Sequence, residues 1–429
     1  MGREGDLDLE AAEFYIRTSM LSMGARVLEQ LLHEVGVGRQ AHPRFCARDH
    51  LPRKMESGGV REKTILTILG PVHFARSRYV CPECGAVEYP GDEILDVEGT
   101  GFSPGLRRLM TRAGSRESFG EAAGDLVVYG AMRVNAKDVE RVSEDMGRQI
   151  DDWMVQQGSA ALLGTGPEAS DKAKISILYA EMDGTGAPMR QSEVAGRKGK
   201  GEDGRAHTRE AKLGAVFTQT TLDEEGRPMR DPESTSYVGA IESSADFGNR
   251  LYAEAVRRGL KRADKVVALS DGAEYNATIA REHFPDATHI IDFYHAVERL
   301  NDFVKENTAH ACDGPFHQAC YAHLHEGQIE ELIVQMREGL PRSGKRRKTG
   351  IKRIQYFAER IEQMRYGEFR RQGLFVGSGV IEASCKTLIG KRLKQSGMFW
   401  SVAGANAIIA ARCCLYSGRF EDFWADTGS

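Results

Sequence analysis

Apolar residues recur at two different periods along the chain, and the changes of period divide it. Residues 8–35 place Leu9, Phe14, Ile16, Met20, Met23, Val27 and Leu31 at helical spacing, which predicts one long helix. In "KTILTILGPVHFARSRYV", within 61–80, apolar and polar positions alternate on both sides of Gly70-Pro71. That is the pattern of a hairpin turning at the dipeptide. Residues 104–157 return to helical spacing. Within them, "FGEAAGDLVVYGAMRVNAKDVERVSEDMGRQI" reads as a helix, a break near Gly130 and a second helix capped by Asn135. The same rhythm serves a plain helical hairpin or a DNA-reading helix-turn-helix. Residues 158–173, rich in Gly, Ala and Ser, mark a boundary.

Beyond that boundary short apolar runs alternate with helical stretches. Strands are predicted at Ile175–Met182, Leu213–Thr220, Tyr237–Ile241, Val266–Leu269 and 287–293, with helices from Ala245 and Ala273. Residues 294–370 and 377–425 read as helical. Two of the strands run into an acid followed by glycine: "ISILYAEM" into Asp183-Gly184, and "VVALS" into Asp271-Gly272. One Asp-Gly is ordinary turn chemistry. Two of them, each leaving a core strand, suggest a functional pair, because open α/β sheets place their sites at strand ends.

Composition narrows the class. Apolar residues make up 41 % and charged residues 28 % of 429, as in a globular protein. No apolar run approaches the ~20 residues that span a bilayer. The start, "MGREGDLDLE", has no signal-peptide core, so the expected location is the bacterial cytoplasm, at the nucleoid. A net charge of −4 argues against a surface that is basic throughout. Charge is uneven, however. "RSGKRRKTGIKR" at 342–353 holds seven basic residues and no acid, and Arg346, Arg347 and Lys348 at its centre are candidates for gripping phosphate.

Two adjacent carboxylates repel unless something neutralises them. A divalent cation does so, and Mg²⁺ binds with few protein carboxylates plus substrate phosphate. Phosphodiester displacement with such ions commonly uses a third acid. Glu382 is the candidate, in "VGSGVIEASCKTLIGKRLKQSGMFW", with Lys386, Lys391, Arg392 and Lys394 beyond it as candidate phosphate contacts. Spacing alone also fits an exposed Glu–Lys pair four residues apart. Glu298, Glu359 and Glu362 are rival third acids. Lys212 is a further candidate for phosphate contact, and the polar loop 195–210 reads as a flexible connection.

The motifs "EMDGTG", "VVALSDGAEYN", "HIIDFYHAVERL" and "GSGVIEASCKTLIGKRLKQSGMFW" occur here in this order. Together they resemble the ISKra-type family of bacterial insertion-sequence transposases, distant relatives of the mutator-like transposases. The resemblance covers most of the chain, from the hairpin to the final "FW". It implies an RNase H-like core of the DDE type with a helical insertion between the second Asp and the Glu. Asp183, Asp271 and Glu382 would then hold Mg²⁺ or Mn²⁺. It also gives "DFYH" meaning: Asp292 and His295 match an acid-x-x-His motif, with His295 at the scissile DNA end or orienting a ligand. From the residues alone, a histidine satisfied locally at a helix start fits equally.

Cys81 and Cys84 in "YVCPECG" form one half of a zinc knuckle. Relatives carry a second Cys-x-x-Cys upstream. This chain has "HPRFCARDH", which leaves Cys46 with His50 or His42 to complete a site. Zn²⁺ on Cys46, His50, Cys81 and Cys84 is one reading, and a hairpin that has lost its metal is the other.

The expected class is therefore α/β: an RNase H-like catalytic core with a large all-helical insertion, preceded by a helical and zinc-ribbon-like N-terminal region. The expected parts are an N-terminal helix (1–40), the zinc-ribbon-like hairpin (41–100), a helical, DNA-reading segment (101–160), the first part of the core (174–293), the insertion (294–370) and a C-terminal part carrying the third acid (371–429). The expected activity is metal-dependent transposition of DNA. Partners would be the element's inverted repeats, target DNA and further copies of the chain, with no membrane. A related nuclease shares the acids. A transposase-derived DNA-binding protein and a metal-free glycoside hydrolase with paired carboxylates are the other readings.

Overall fold

A computed structural model describes residues 8–35, 37–39, 42–46, 48, 51–165, 175–199, 204–311 and 313–427. His50 lies outside the described residues. The chain forms two compact units, Met1–Met146 and Gly147–Ser429. Among the described residues no helix is long and apolar enough to cross a membrane.

The first unit begins with α1 (Leu9–Val35), whose Ala25, Leu28 and Leu32 cover a β-hairpin. The hairpin strands are β1 (Glu56–Thr67) and β2 (Gly70–Val80), in antiparallel register from Thr67↔Gly70 outward. Alternation puts Ile65, Val72 and Phe74 on the face under α1. The turn is Ile68-Leu69, not the expected Gly70-Pro71. The Thr67 hydroxyl donates to the Gly70 carbonyl (2.8 Å) and accepts from the Leu69 amide (3.1 Å), so a side chain closes the turn before the dipeptide is reached. A short strand, β3 (Val87–Glu88), completes the sheet after the Cys81–Cys84 turn.

After one short helical turn, Pro90–Ile94, come three longer helices: α2 (Pro104–Arg116), α3 (Phe119–Gly130) and α4 (Ala136–Leu163). A capping box between Ser118 and Glu121 starts α3, and Ala131 in the left-handed region (φ 56°) ends it. Asn135 caps α4 through its Oδ1, which accepts from the Asp138 amide at 2.9 Å. Break and cap fall where the sequence places them. However, α4 continues to Leu163, so residues 158–163 are helix rather than linker.

The second unit is built on a five-stranded mixed sheet. In sequence its strands are β4 (Ile175–Pro188), β5 (Thr208–Gln219), β6 (Ser236–Ala240), β7 (Ala263–Ser270) and β8 (Thr288–Ile291). In space they lie in the order β6-β5-β4-β7-β8. The first three form an antiparallel meander, whereas β7 and β8 run parallel to β4. Parallel neighbours require crossovers. Two helices supply them: α5 (Ser244–Arg257) between β6 and β7, and α6 (Glu274–His283) between β7 and β8.

The insertion supplies α7 (Phe293–Asn307), α8 (Pro315–Glu326), α9 (Ile329–Glu338), α10 (Lys345–Ala358) and α11 (Tyr366–Arg371). It has no separate core. Phe303, Leu324, Met336 and Phe357 join Tyr179, Leu269 and Ile290 of the sheet in one buried cluster. The chain then returns over β4 as α12 (Gly379–Ser384), continued by a π-helical stretch, Cys385–Gly390, and a last turn, Lys391–Leu393. The final helices are α13 (Val402–Tyr416) and α14 (Phe420–Thr427).

Candidate active site at the aspartate pair

Strand register builds the centre. The parallel pairing of β7 with β4 ends at Ser270↔Met182. The next residue on each strand is an aspartate, Asp271 and Asp183, so the two carboxylates emerge side by side where the strands part. Asp183 does not end its strand, as the sequence suggests. β4 runs on to Pro188, paired only with β5 (Asp183↔Leu213 through Pro188↔Thr208). The opening lies where β7 leaves the sheet.

Glycine makes room beside both acids, and at Gly272 the backbone itself calls for it. A Cβ on Gly184 would come within 2.7 Å of Glu210 Oε1 and 2.8 Å of the Tyr275 hydroxyl. Gly272 has φ of +78°, and a Cβ there would meet the Tyr356 hydroxyl at 2.5 Å. Asp271 Oδ1 accepts from the Ala273 amide and from Asn276 Nδ2, both at 2.9 Å, which fixes its carboxylate at the start of α6.

One face of β4 is covered by the returning chain in a regular ladder. Residues 179, 181, 183 and 185 share that face by strand alternation. The Tyr179 ring meets Phe375 edge-on at 5.4 Å. The Ile381 amide donates to Glu181 Oε2 at 2.9 Å. The Cys385 thiol hydrogen-bonds to Asp183, and Lys394 Nζ donates to the Thr185 hydroxyl. Each step up the strand thus meets a later residue of the segment that carries Glu382. The π-helical stretch beside Asp183 is of a kind often found at functional sites. Its carbonyls at Thr387 and Leu388 accept from the guanidinium of Arg412, buried beneath them, each at 2.7 Å.

Burial pushes the Asp183 carboxyl up, against the Gly184 amide and Cys385, and the charge of Asp271 adds to the rise. Burial and the Asp183 charge together hold the Cys385 thiol well above the ordinary thiol range. Glu181 is fully buried; burial drives it up to about 8, the Ile381 amide opposes, and the charge of Asp292 reinforces. Among the described residues no lysine or arginine makes an ion pair with Asp183 or Asp271. Two neighbouring carboxylates with no lysine or arginine bound to them fit a hard divalent ion that keeps most of its waters.

A second pair flanks the first. Asp292 caps α7, accepting from the His295 amide at 2.7 Å and from the Ser378 amide. Burial would raise Asp292, but these hydrogen bonds and the His295 ring prevail and hold it below the ordinary carboxylate range. His295 Nδ1 lies 3.2 Å from Asp292 Oδ1. That bond lifts the imidazole to about 9 against partial burial, and the charges of Asp292, Asp271 and Glu298 add to the rise. His295 is therefore a cation at neutral pH, within electrostatic reach of Asp271.

Glu382 lies one helical turn before Cys385, and its charge reaches that thiol. Its carboxylate is half exposed and binds Lys386 Nζ at 2.8 Å. Among the described residues the three acids do not converge: the one group of three ligating side chains within 4.8 Å of one another is Cys46, Cys81 and Cys84. Of the rivals, Glu359 pairs with Arg360 and Glu362 with Arg365. Glu298 stays within electrostatic reach of His295.

Lys386, Lys391, Lys394, Arg346 and Lys348 are exposed, and Arg347 is half-buried with its guanidinium on the Pro341 carbonyl. Arg392 is not a surface cation. It is fully buried, lies over the Trp400 ring at 5.0 Å and bonds to Met398, on the helical face it shares with the buried Ile381, Cys385 and Leu388. Lys212 is also buried, donating to the Glu242 carbonyl at 2.9 Å and pairing with Glu210 at 3.4 Å, so it has no free phosphate-binding role. Two residues of the site, Glu181 and Cys385, are not among the sequence-based candidates. Glu181 carries a signal, since it stands two residues before Asp183 and so on the same strand face.

The cysteines of the first unit form a separate cluster. Cys46 and Cys81 are buried, Cys84 is exposed, and Cys46 Sγ lies 3.8 Å from Cys84 Sγ. Gly85 at φ +71° closes the Cys81–Gly85 turn through its amide on the Cys81 carbonyl. The amides of Cys84 and Glu83 stabilise the Cys81 thiolate and, against burial, bring it down to about 7. Three sulphurs at this spacing fit a tetrahedral zinc that takes one further ligand.

No protein-family model and no curated protein matches the chain. A solved structure, the Drosophila P element transposase strand transfer complex, is similar at 13 % identity over 75 % of this chain and 80 % of that one, with a TM-score of 0.25. A likeness of that size decides neither fold nor activity.

Proposed function

We propose that the chain is a DNA transposase of an insertion sequence, with an RNase H-like core of the DDE type, assembled as a homo-oligomer on DNA. One observation carries the reading: the register of β4 and β7 sets Asp183 and Asp271 side by side, with no lysine or arginine paired to either among the described residues, beneath the segment bearing Glu382. The mixed five-stranded sheet and the ordered ISKra-type motifs support it. Asp183 and Asp271 would hold Mg²⁺ or Mn²⁺, with Glu382 joining once it leaves Lys386. Bound there, the ions supply charge stabilisation for phosphodiester displacement.

The chain's own groups position the DNA. His295, kept protonated by Asp292, offers a ring N–H to a phosphate oxygen near Asp271. Lys386, Lys391 and Lys394 line the returning segment as exposed phosphate contacts, and Arg346 and Lys348 do the same on α10. The helices around Asn135 are proposed to read the element's ends. Cys46, Cys81 and Cys84 are proposed to hold a structural Zn²⁺, with His50 as its fourth ligand.

A second reading, a transposase-derived DNA-binding protein without cleavage, draws on the pairing of Glu382 with Lys386. The test uses duplexes from the DNA flanking the gene, incubated with Mg²⁺ and a target plasmid. The proposed reading expects cleavage and covalent joining of the freed 3′-end to the plasmid. Asp183→Asn and Asp271→Asn should each reduce cleavage by about 10³-fold or more while binding persists. Cleavage surviving in either variant overturns the assignment. Binding without cleavage by the unaltered chain selects the second reading, and cleavage without joining selects a nuclease.

A further inference from the structure

Helix α1 has two apolar faces, and the hairpin uses only one. Ala25, Leu28 and Leu32 point at the hairpin. On the opposite side Leu9, Ile16, Met20, Met23, Val27 and Leu31 stand in solvent, each 53–67 % exposed. Single exposed apolar residues are ordinary, but a stripe of six running along one helix is not.

The spacing of the stripe identifies its partner. From Ile16 the steps are four, three and four residues, to Met20, Met23 and Val27; Leu9 lies one heptad before Ile16 with Glu13 at the seam position between them, and Leu31 follows Val27 by four, next to Gln30 at the last seam position. That is the narrow seam of a coiled coil rather than the broad face of a helix lying on a core. Such a seam is self-complementary, so the surface that fits it is the same seam on a second copy. Burying six side chains at this exposure removes on the order of 600 Å² per helix, about 1,200 Å² for the pair, the lower end of specific interfaces. A lipid surface suits the helix poorly. It carries Glu10, Glu13, Glu29 and Glu34 against Arg17 and Arg26, an acidic balance that anionic headgroups repel.

We propose that α1 is the dimerisation helix of this protein, pairing with α1 of a second copy through the stripe from Leu9 to Leu31. The pairing needs neither DNA nor metal. It therefore stands or falls separately from the proposed chemistry.

Sedimentation equilibrium of the full chain, without DNA or added divalent ions, tests it. The expected mass at micromolar concentration is twice 47.4 kDa. Met20→Glu with Val27→Glu sets charges across the seam and should raise the dimer dissociation constant by about 100-fold or more. Met20→Ala with Met23→Ala and Val27→Ala keeps helix propensity, removes contact area and should raise it by about 10-fold or more. At a concentration where all are monomeric, the circular dichroism and melting temperature of both variants should match the parent, since the altered side chains stand in solvent there. A monomeric parent at 50 µM (about fifty times the working concentration) overturns the proposal. So does a dimer whose dissociation constant neither set of substitutions moves.

Discussion

The aspartate pair and the cysteine trio are both clusters suited to a metal, and they are assembled by opposite means. Two of the three cysteines lie in one tight turn, Cys81 to Gly85, and the third arrives on the adjoining two-residue strand Phe45–Cys46. Local geometry sets two of the sulphurs, the third comes from a strand 35 residues upstream, and all three converge within 4.8 Å. Asp183 and Asp271 are far apart in sequence and meet only because β4 and β7 pair in one register. A slip of one residue would turn one of them to the opposite face. Glu382, proposed as the third acid, depends on a further event, the docking of the returning segment, and is bound to Lys386. Soft ligands thus make a converged cluster, lacking one ligand, of a kind suited to holding structure. Hard ligands make an open one, suited to an ion that must also take substrate.

The widest test of this contrast is to remove one cluster and ask whether the other notices. Cys81→Ser should abolish zinc: metal analysis is expected to fall from about one zinc per chain to below about 0.1. The melting temperature of the first unit should fall by roughly 10 °C or more, since structural zinc binding is folding free energy. Mg²⁺-dependent cleavage by the second unit should keep its metal requirement. A parent protein that purifies without zinc, and melts identically with and without chelator, would reduce the trio to three thiols.

The next test concerns the acid that has not converged. Glu382→Gln should lower cleavage by about 10²-fold or more, whereas Glu298→Gln should change it by less than about 3-fold. Lys386→Ala removes the competing cation and should lower the Mg²⁺ concentration needed for half-maximal cleavage. If Glu298→Gln is the damaging change and Glu382→Gln is not, the third ligand comes from α7, and the contrast between strand-borne and helix-borne acids must be redrawn.

How much of the fold and site is legible in the sequence depends on what each feature rests on. The apolar runs at 175–182, 213–220 and 266–269 announce strands because β4, β5 and β7 are buried on both faces. The far half of β4, from Asp183 to Pro188, has no apolar pattern and is strand only because β5 pairs with it. The pairing of the two Asp-Gly steps is legible, since each comes at the end of an apolar run. The direction of Arg392 is legible as well: it stands four, seven and eleven residues after Leu388, Cys385 and Ile381, a helical spacing that puts it on their buried face, although its charge suggests the surface. The hairpin turn departs from the dipeptide because Gly-Pro, though a strong local signal, is outweighed by a threonine side chain three residues before the glycine.

The last test separates two acids on one strand face. Asp183 borders the opening, whereas Glu181, two residues earlier, is sealed beneath Ile381. Its carboxyl sits at about 8 in the folded chain, above the ordinary value of 4.5, so folding favours the protonated form. The contribution of Glu181 is therefore fully present below about pH 4.5 and is lost as pH rises towards 8, on the order of 1 kcal/mol per pH unit. Glu181→Gln keeps an acceptor for the Ile381 amide and never ionises. Urea denaturation at pH 5, 6, 7 and 8, without divalent ions, should show the variant gaining on the parent at each step. A difference that stays constant with pH would mean that Glu181 ionises as an ordinary solvated carboxyl, and that the helix bearing Glu382 does not seal this part of the strand.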